Sequence, residues 1–397
     1  MVFPLEIMFW IMFAESGDHA RRLARSPLLF DNVVHLVLPS KMLVDSPALI
    51  KALAGLLPAG VPGIGRSNAA AGAARGAQAN QHPTGGSGCI DQDPRMRHDI
   101  SFPGFGGTTL RGWLYAREGA GNGPALVMAH GFSATRAMAL DPFARVFCEA
   151  GITVLAYDHR NLGTSDGEPR QEINIWAQAR DYRYALDWLS RRPEVDARRI
   201  GIWGSSFSGG EVLAVGACDR RVAAVIANVP FASLPDTEQR LADSAAFERM
   251  RAALLDESGN GPADAAGAPI GPLAVVAEEG VDLPPFLAVP EASDWFLRAG
   301  AVPGAGWQNR VTLRNCFGTE PAFDPGVCVG HIAPTPLLMV VASNDRLAPT
   351  AGALKAFERA GEPKRLELIE GDHFVVYQGA GFARAAPAMR DFLLEFL

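Results

Sequence analysis

A chain of 397 residues, 48% hydrophobic and 20% charged, can bury a large core and has the make-up of an ordinary globular enzyme. Its formal charge of −7 argues against a nucleic-acid partner, which would require a basic face. Five cysteines, Cys89, Cys148, Cys218, Cys316 and Cys328, are odd in number and form no C-x-x-C pair, so neither zinc nor a disulfide framework is indicated. A Cys316–Cys328 bond would need an oxidising compartment, and a buried free thiol is the commoner state.

Residues 1–14 are apolar but carry Glu6, lack a basic stretch and have no small-residue cleavage site close behind, so they do not read as a secretion signal. They are too short to span a bilayer, and the expectation is a cytoplasmic protein. Leu/Val-rich pieces at 33–37 and 49–57 give way to a Gly/Ala/Asn/Ser/Pro stretch at 59–88. With almost no apolar periodicity, that stretch reads as a flexible linker. Residues 1–97 are expected to be an accessory segment on the main domain, or else upstream sequence ahead of a natural start near Met96.

From Ile100 onward the pattern is regular. Residues 108–115 alternate as a strand after the glycine-rich turn at 104–107. Residues 125–129 and 152–157 are continuous apolar runs, as expected of strands buried on both faces. Residues 141–150 form a helix, and residues 175–191 a longer one on the spacing of Trp176, Ala179, Leu186 and Leu189. Then come strand 200–203, a helix to about 217 and strand 222–227. Strands alternating with helices require a mostly parallel sheet covered on both faces.

The strand at 200–203 runs into Gly204-Ser205-Ser206-Phe207-Ser208-Gly209-Gly210, a small-x-Ser-x-small pattern at a strand-to-helix turn. A serine forced onto such a turn needs small neighbours two positions before and after it. Gly204 and Ser208 meet that need around Ser206, whereas Ser205 has Trp203 two positions before it and Ser208 would fall inside the first helical turn. The alternative is a Ser/Gly-rich loop with no chemistry.

Between 229 and about 331 the alternation stops. A helical piece near 237–255 is followed by a Gly/Pro/Ala-rich section at 259–271 and scattered Trp295, Trp307 and Phe317. A structureless loop of this length is improbable. Residues 230–331 are therefore expected to be an inserted helical lid, with the core in 98–229 and 332–397. The pattern resumes as strand 336–342, helix 351–360, strand 365–369 and helix 383–397.

A serine hydroxyl needs a base, and the base needs a group that fixes its tautomer. Asp345 follows the strand ending at 342 and His373 follows the last strand, which places both at the C-terminal edge of the sheet. Asp345 could instead cap the next turn, and Asp372 is badly placed to reach the far nitrogen of its neighbour His373. The oxyanion formed in acyl transfer needs two donors. The backbone N–H groups of Phe207 and of Phe132, in the loop His130-Gly131-Phe132-Ser133, are the candidates, with His130 holding the loop. His159, Phe231 and Trp295 are candidate substrate contacts, although structural hydrogen bonding is the commoner role for a histidine such as His159 and the aromatic residues could equally form the lid's own core. No metal ligands are expected.

The His130-Gly131-Phe132 loop, the run from Asp158 to Gly167, the turn from Gly204 to Gly210 and Gly371-Asp372-His373 together resemble the α/β-hydrolase superfamily. Within it they are most similar to the dienelactone-hydrolase-like and X-Pro dipeptidyl-peptidase-like branch and to related polyketide acyltransferases. The resemblance covers about residues 98–397. It implies an α/β-hydrolase fold and a Ser206, Asp345, His373 triad acting through an acyl-enzyme, with no cofactor. Ser208 departs from the usual second glycine of the turn, and Asn161 stands where many relatives have glycine. Neither Gly63-Ile64-Gly65 nor Gly104-Phe105-Gly106-Gly107 sits between a strand and a helix at the spacing a dinucleotide site demands. The expected activity is hydrolysis of a small-molecule carboxylic ester. Acyl transfer to an alcohol or amine, amide or peptide hydrolysis by the same triad, and a catalytically dead binding module are the alternatives. Homo-oligomerisation is left open.

Overall fold

The structure, a computed structural model, describes residues 97–397 apart from Glu118 and Ala120, and the expectations for residues 1–96 lie outside the described residues. The chain enters as an antiparallel pair, β1 (Arg97–Pro103) and β2 (Thr109–Tyr115), with Arg97 opposite Tyr115. It continues as β3 (Gly123–Ala129), α1 (Arg136–Glu149), β4 (Thr153–Tyr157), the two-residue β5 (Glu172–Ile173), α2 (Ile175–Ser190), β6 (Val195–Ser205), α3 (Phe207–Cys218) and β7 (Ala224–Asn228). A long intervening segment holds α4 (Thr237–Leu241), α5 (Ala246–Leu255), β8 (Ile270–Val276), β9 (Pro285–Leu287), α6 (Pro290–Gly300), β10 (Val311–Leu313) and α7 (Pro325–Cys328). The chain then closes with β11 (Leu337–Ala342), α8 (Thr350–Arg359), β12 (Lys364–Ile369) and α9 (Gly379–Phe396).

Eight strands form the main sheet in the order β1-β2-β4-β3-β6-β7-β11-β12. The β1–β2 and β2–β4 pairings are antiparallel and all the others parallel. Alternate residues of each central strand feed different apolar layers, as the two-residue period of a strand dictates. Ala125, Val127, Ile202, Val225 and Met339 face α2 and α3, packing with Trp176, Tyr182 and Leu213. Leu126, Met128, Trp203, Ile226 and Val340 face α1 and α9, packing with Phe143, Met389 and Phe392. Fully burying a side chain of this size contributes about 1.5–3 kcal/mol. Coverage on both faces is why these strands are apolar without interruption. The expected mostly parallel sheet with helices on both faces is the architecture found.

The expectation of a helical insertion is incomplete. Strands β8, β9 and β10 join β5 in a second sheet of order β5-β10-β8-β9. Because β10 runs parallel to β5, with Thr312 opposite Glu172 and Leu313 opposite Ile173, the intervening segment is tied by a backbone ladder to a loop of the main domain. β9 and β10 are only three residues long and β8 is interrupted by Gly271-Pro272, which hid them from any periodicity. Among the described residues no helix is long and apolar enough to cross a membrane.

Because β3, β6, β11 and β12 run parallel, the loops that follow them emerge at one edge of the sheet. Open α/β sheets bind their ligands at that edge.

Candidate active site

Ser206 sits between β6 and α3 with φ 58° and ψ −114°, in a left-handed region that only a tightly constrained turn imposes on a non-glycine residue. The turn closes because Gly204 carries no side chain: a Cβ there would strike the Ser208 carbonyl. Ser206 N–H donates to Asn228 O at 2.8 Å, and Ser206 O accepts from Phe231 N–H at 2.9 Å, so β7 and the chain after it brace both sides of the turn.

Of the three neighbouring serines, Ser206 is the one hydrogen-bonded to His373. Its Oγ lies 2.9 Å from His373 Nε2, and His373 Nδ1 lies 2.6 Å from Asp345 Oδ2. The consistent proton arrangement has Ser206 donating to Nε2 and Nδ1–H donating to the carboxylate. Asp345 also does what its capping alternative required, since its Oδ1 accepts from the N–H groups of Leu347 and Ala348 at 2.9 and 2.8 Å. That turn fixes the carboxylate beneath the imidazole. Ser205 is buried, contacting Tyr377 Oη at 2.5 Å and accepting from Asn228 Nδ2 at 3.0 Å.

The loop after β3 presses against the same serine. A Cβ on Gly131 would lie 2.8 Å from Ser206 Cβ and 3.0 Å from Ser205 O, so only glycine permits this approach. Phe132 follows directly, its ring stacked on Phe286 at 4.6 Å and edge-on to Phe207 at 5.6 Å. His130 accepts the His159 N–H at Nε2 (3.2 Å), which leaves Nδ1–H to donate to Gly131 O at 2.9 Å. Burial pushes His130 below the ordinary histidine range, consistent with a neutral ring.

His159, a candidate substrate contact with structural hydrogen bonding as its other reading, makes a structural hydrogen bond. It is 2% exposed, packed behind the turn with Nε2 2.7 Å from Ser208 Oγ, and burial drives it well below the ordinary histidine range. Phe231 lies beside the serine, tilted against Phe207 at 6.0 Å. Trp295, on α6, stacks on Phe374 at 5.1 Å and contacts Tyr377 at 5.2 Å, so it packs against the loop that carries His373. Glu291 of the same helix pairs with Arg346, next to Asp345, with Arg346 Nε donating at 2.9 Å. Helix α6 thus braces the loops of both the acid and the imidazole. Cys316 and Cys328 are free and buried, with the Cys316 thiol pushed up to about 12 by burial.

Sequence reasoning missed Glu211, Tyr377 and Thr135. Thr135 Oγ1 donates to Ala305 O at 2.7 Å and ties the β3 loop to the intervening segment. Glu211 carried a usable signal, as the one charged residue in the otherwise apolar α3, where it is fully buried.

A mostly parallel sheet of this strand order, with a strained serine turn at its carboxyl edge facing histidine and aspartate, defines a serine-hydrolase-like α/β hydrolase. The chain belongs to the X-Pro dipeptidyl-peptidase (S15) family, whose pattern matches residues 106–375. It is 34% identical to a polyketide transferase of Gibberella fujikuroi, over 69% of this chain and 89% of that one. It is 31% identical to the thiohydrolase aneE of Aspergillus aculeatus, over 77% and 96%. The solved structure of the α/β hydrolase GrgF from Penicillium superposes with a TM-score of 0.58 at 33% identity, over 76% of this chain and 98% of that one.

Proposed function

We propose that the protein hydrolyses carboxylic esters through an acyl-enzyme on Ser206. The observation that carries this reading is the His373 ring, held between Asp345 Oδ2 at 2.6 Å and Ser206 Oγ at 2.9 Å. Ser206 Oγ attacks the acyl carbonyl while His373 Nε2 takes its proton, and Asp345 stabilises the imidazolium that forms. The oxyanion of the tetrahedral intermediate accepts from the Phe132 and Phe207 N–H groups. Collapse breaks the ester bond, with His373 returning the proton to the leaving oxygen. Water, deprotonated by His373, then attacks the acyl-enzyme and releases the acid. Residues 230–331 serve as a lid, and the Phe132, Phe207, Phe231 and Phe286 rings beside the serine favour an apolar acyl group.

A second reading, transfer of the acyl group to an alcohol or amine, is favoured by the relatives named polyketide transferases. It requires only that the lid exclude water from the acyl-enzyme.

The test is a fluorophosphonate probe followed by peptide mapping, together with turnover of p-nitrophenyl esters and acyl thioesters with and without acceptor alcohols. Labelling at Ser206 and release of free acid are expected. Product partitioning into the acceptor would favour transfer, and an unlabelled Ser206 with no turnover would end both readings.

A further inference from the structure

We propose that Glu211 is held as a neutral carboxylic acid that donates to Ser208 and so fixes the loop carrying the Phe132 N–H, which makes it a positioning residue for the oxyanion. The proposal rests on the assignment of Phe132 made above.

The argument is one of counting hydrogens. Ser208 Oγ lies 2.5 Å from His130 O, 2.7 Å from His159 Nε2 and 2.9 Å from Glu211 Oε2. A hydroxyl has one hydrogen to give and two lone pairs to receive with. The His130 carbonyl can only accept, so the hydroxyl hydrogen goes there. His159 Nε2 and Glu211 Oε2 must then both donate to Ser208, which needs a proton on each. An ionised Glu211 would leave two oxygens at hydrogen-bond distance with no hydrogen between them.

The unused atoms agree. Glu211 Oε1 and His159 Nδ1 have no hydrogen-bond partner among the described residues. In the neutral acid and the Nε2–H imidazole both are acceptor lone pairs, whose burial is tolerable. A fully buried carboxylate with a bare oxygen would cost far more. Among the described residues the group within ion-pair distance of Glu211 is His159, whose Nε2 lies 3.4 Å from Oε2, and burial drives that ring well below the ordinary histidine range, which keeps it neutral and unable to compensate a carboxylate. Burial pushes the Glu211 carboxyl well above the ordinary glutamate range, and the Asp181 charge adds to it.

The consequence reaches the site along two consecutive peptides. Ser208 holds the His130 carbonyl, and the His130 ring donates to the Gly131 carbonyl at 2.9 Å. That second carbonyl belongs to the same peptide unit as the Phe132 N–H, so the bond it accepts both orients and polarises the donor. Removing Glu211 takes one of the two donors from Ser208 and loosens the root of the loop.

Difference infrared spectroscopy of the full chain at neutral pH, wild type minus Glu211→Gln, should show the C=O stretch of a protonated carboxyl. Glu211→Gln keeps the shape and an N–H donor toward Ser208, so kcat should stay within about threefold of wild type. Glu211→Ala should lower kcat about 30-fold with KM nearly unchanged, less than the 10²–10³ that outright loss of an oxyanion donor costs. Should Glu211→Ala not fold, Ser208→Ala, which deletes the shared hydroxyl, should show a comparable loss. Absence of the carboxyl band, or a Glu211→Gln enzyme as impaired as Glu211→Ala, would overturn the proposal. Fluorophosphonate labelling of wild-type Ser206 keeps the two readings apart. A labelled enzyme without the band sinks only the role of Glu211, whereas an unlabelled one sinks the esterase reading while the band still decides the protonation of Glu211.

Discussion

Replacing Gly131 by alanine tests how closely the β3 loop must approach the serine. The added Cβ would start 2.8 Å from Ser206 Cβ. Two carbons settle at about 3.5–4.0 Å, so loop and turn must part by about 0.7–1.2 Å. Neither side yields easily, because Ser208 and the His130 ring hold the loop while Asn228 and Phe231 hold the turn. Overpacking of this kind costs about 1–3 kcal/mol of stability. The larger effect falls on rate, because the Phe132 N–H proposed as an oxyanion donor is next along the chain, and a displacement near 1 Å at a reacting centre costs about a hundredfold. Steady-state kinetics on a p-nitrophenyl ester, paired with thermal melting, should show kcat down about two orders of magnitude in a protein that still folds. A Gly131→Ala enzyme with wild-type kcat would refute the reasoning, since the loop could then lie an ångström away without consequence.

Ser206→Ala and His373→Ala should each lower kcat by about a millionfold while melting near the wild-type temperature, with the double variant little worse than either single one, because members of such a unit are not additive. Trp295→Ala should lower both melting temperature and kcat by loosening the packing behind His373, and Trp295→Phe should restore most of each; a rise in KM alone would make Trp295 a substrate contact instead. Glu211 gives a pH signature. Its folded-state pKa lies above the ordinary 4.5, so above that value the unfolded chain releases a proton that the folded chain keeps, and stability falls by about 1.4 kcal/mol per pH unit as pH rises toward the folded value. The stability of Glu211→Gln relative to wild type, from urea midpoints, should therefore be flat in acid and climb as pH rises above about 4.5. Parallel curves would refute it.

The strands legible in the sequence were those whose environment leaves one solution. Residues 125–129 and 337–342 are apolar throughout because helices cover both faces. Asp345 and His373 were readable because parallel strands deliver the residues after them to a common edge. What stayed hidden takes its structure from distant partners. Residues 270–276 and 311–313 become strands by pairing with each other and with Glu172 and Ile173, about 140 residues away from β10. For His159, in a loop after a strand, substrate contact and structural hydrogen bonding were both open in the sequence, and its ring turns inward to Ser208. Asn161, a departure from glycine in the resemblance, has a plain reason. At φ 68° it occupies a conformation asparagine tolerates, and its Nδ2 donates to Glu172 O at 3.0 Å, a bond glycine could not make.

The pairing of β5 with β10 bears on how this enzyme could be re-engineered. A specificity transplant that exchanged only residues 229–336 would bring a foreign strand edge against Glu172 and Ile173, and Arg314, whose Nε donates to Glu172 Oε1 at 2.8 Å, would lose its counter-charge. The cassette that can be moved between homologous scaffolds is thus discontinuous. It must include the dipeptide at 172–173, or the graft inherits a mismatched seam between the two sheet strands.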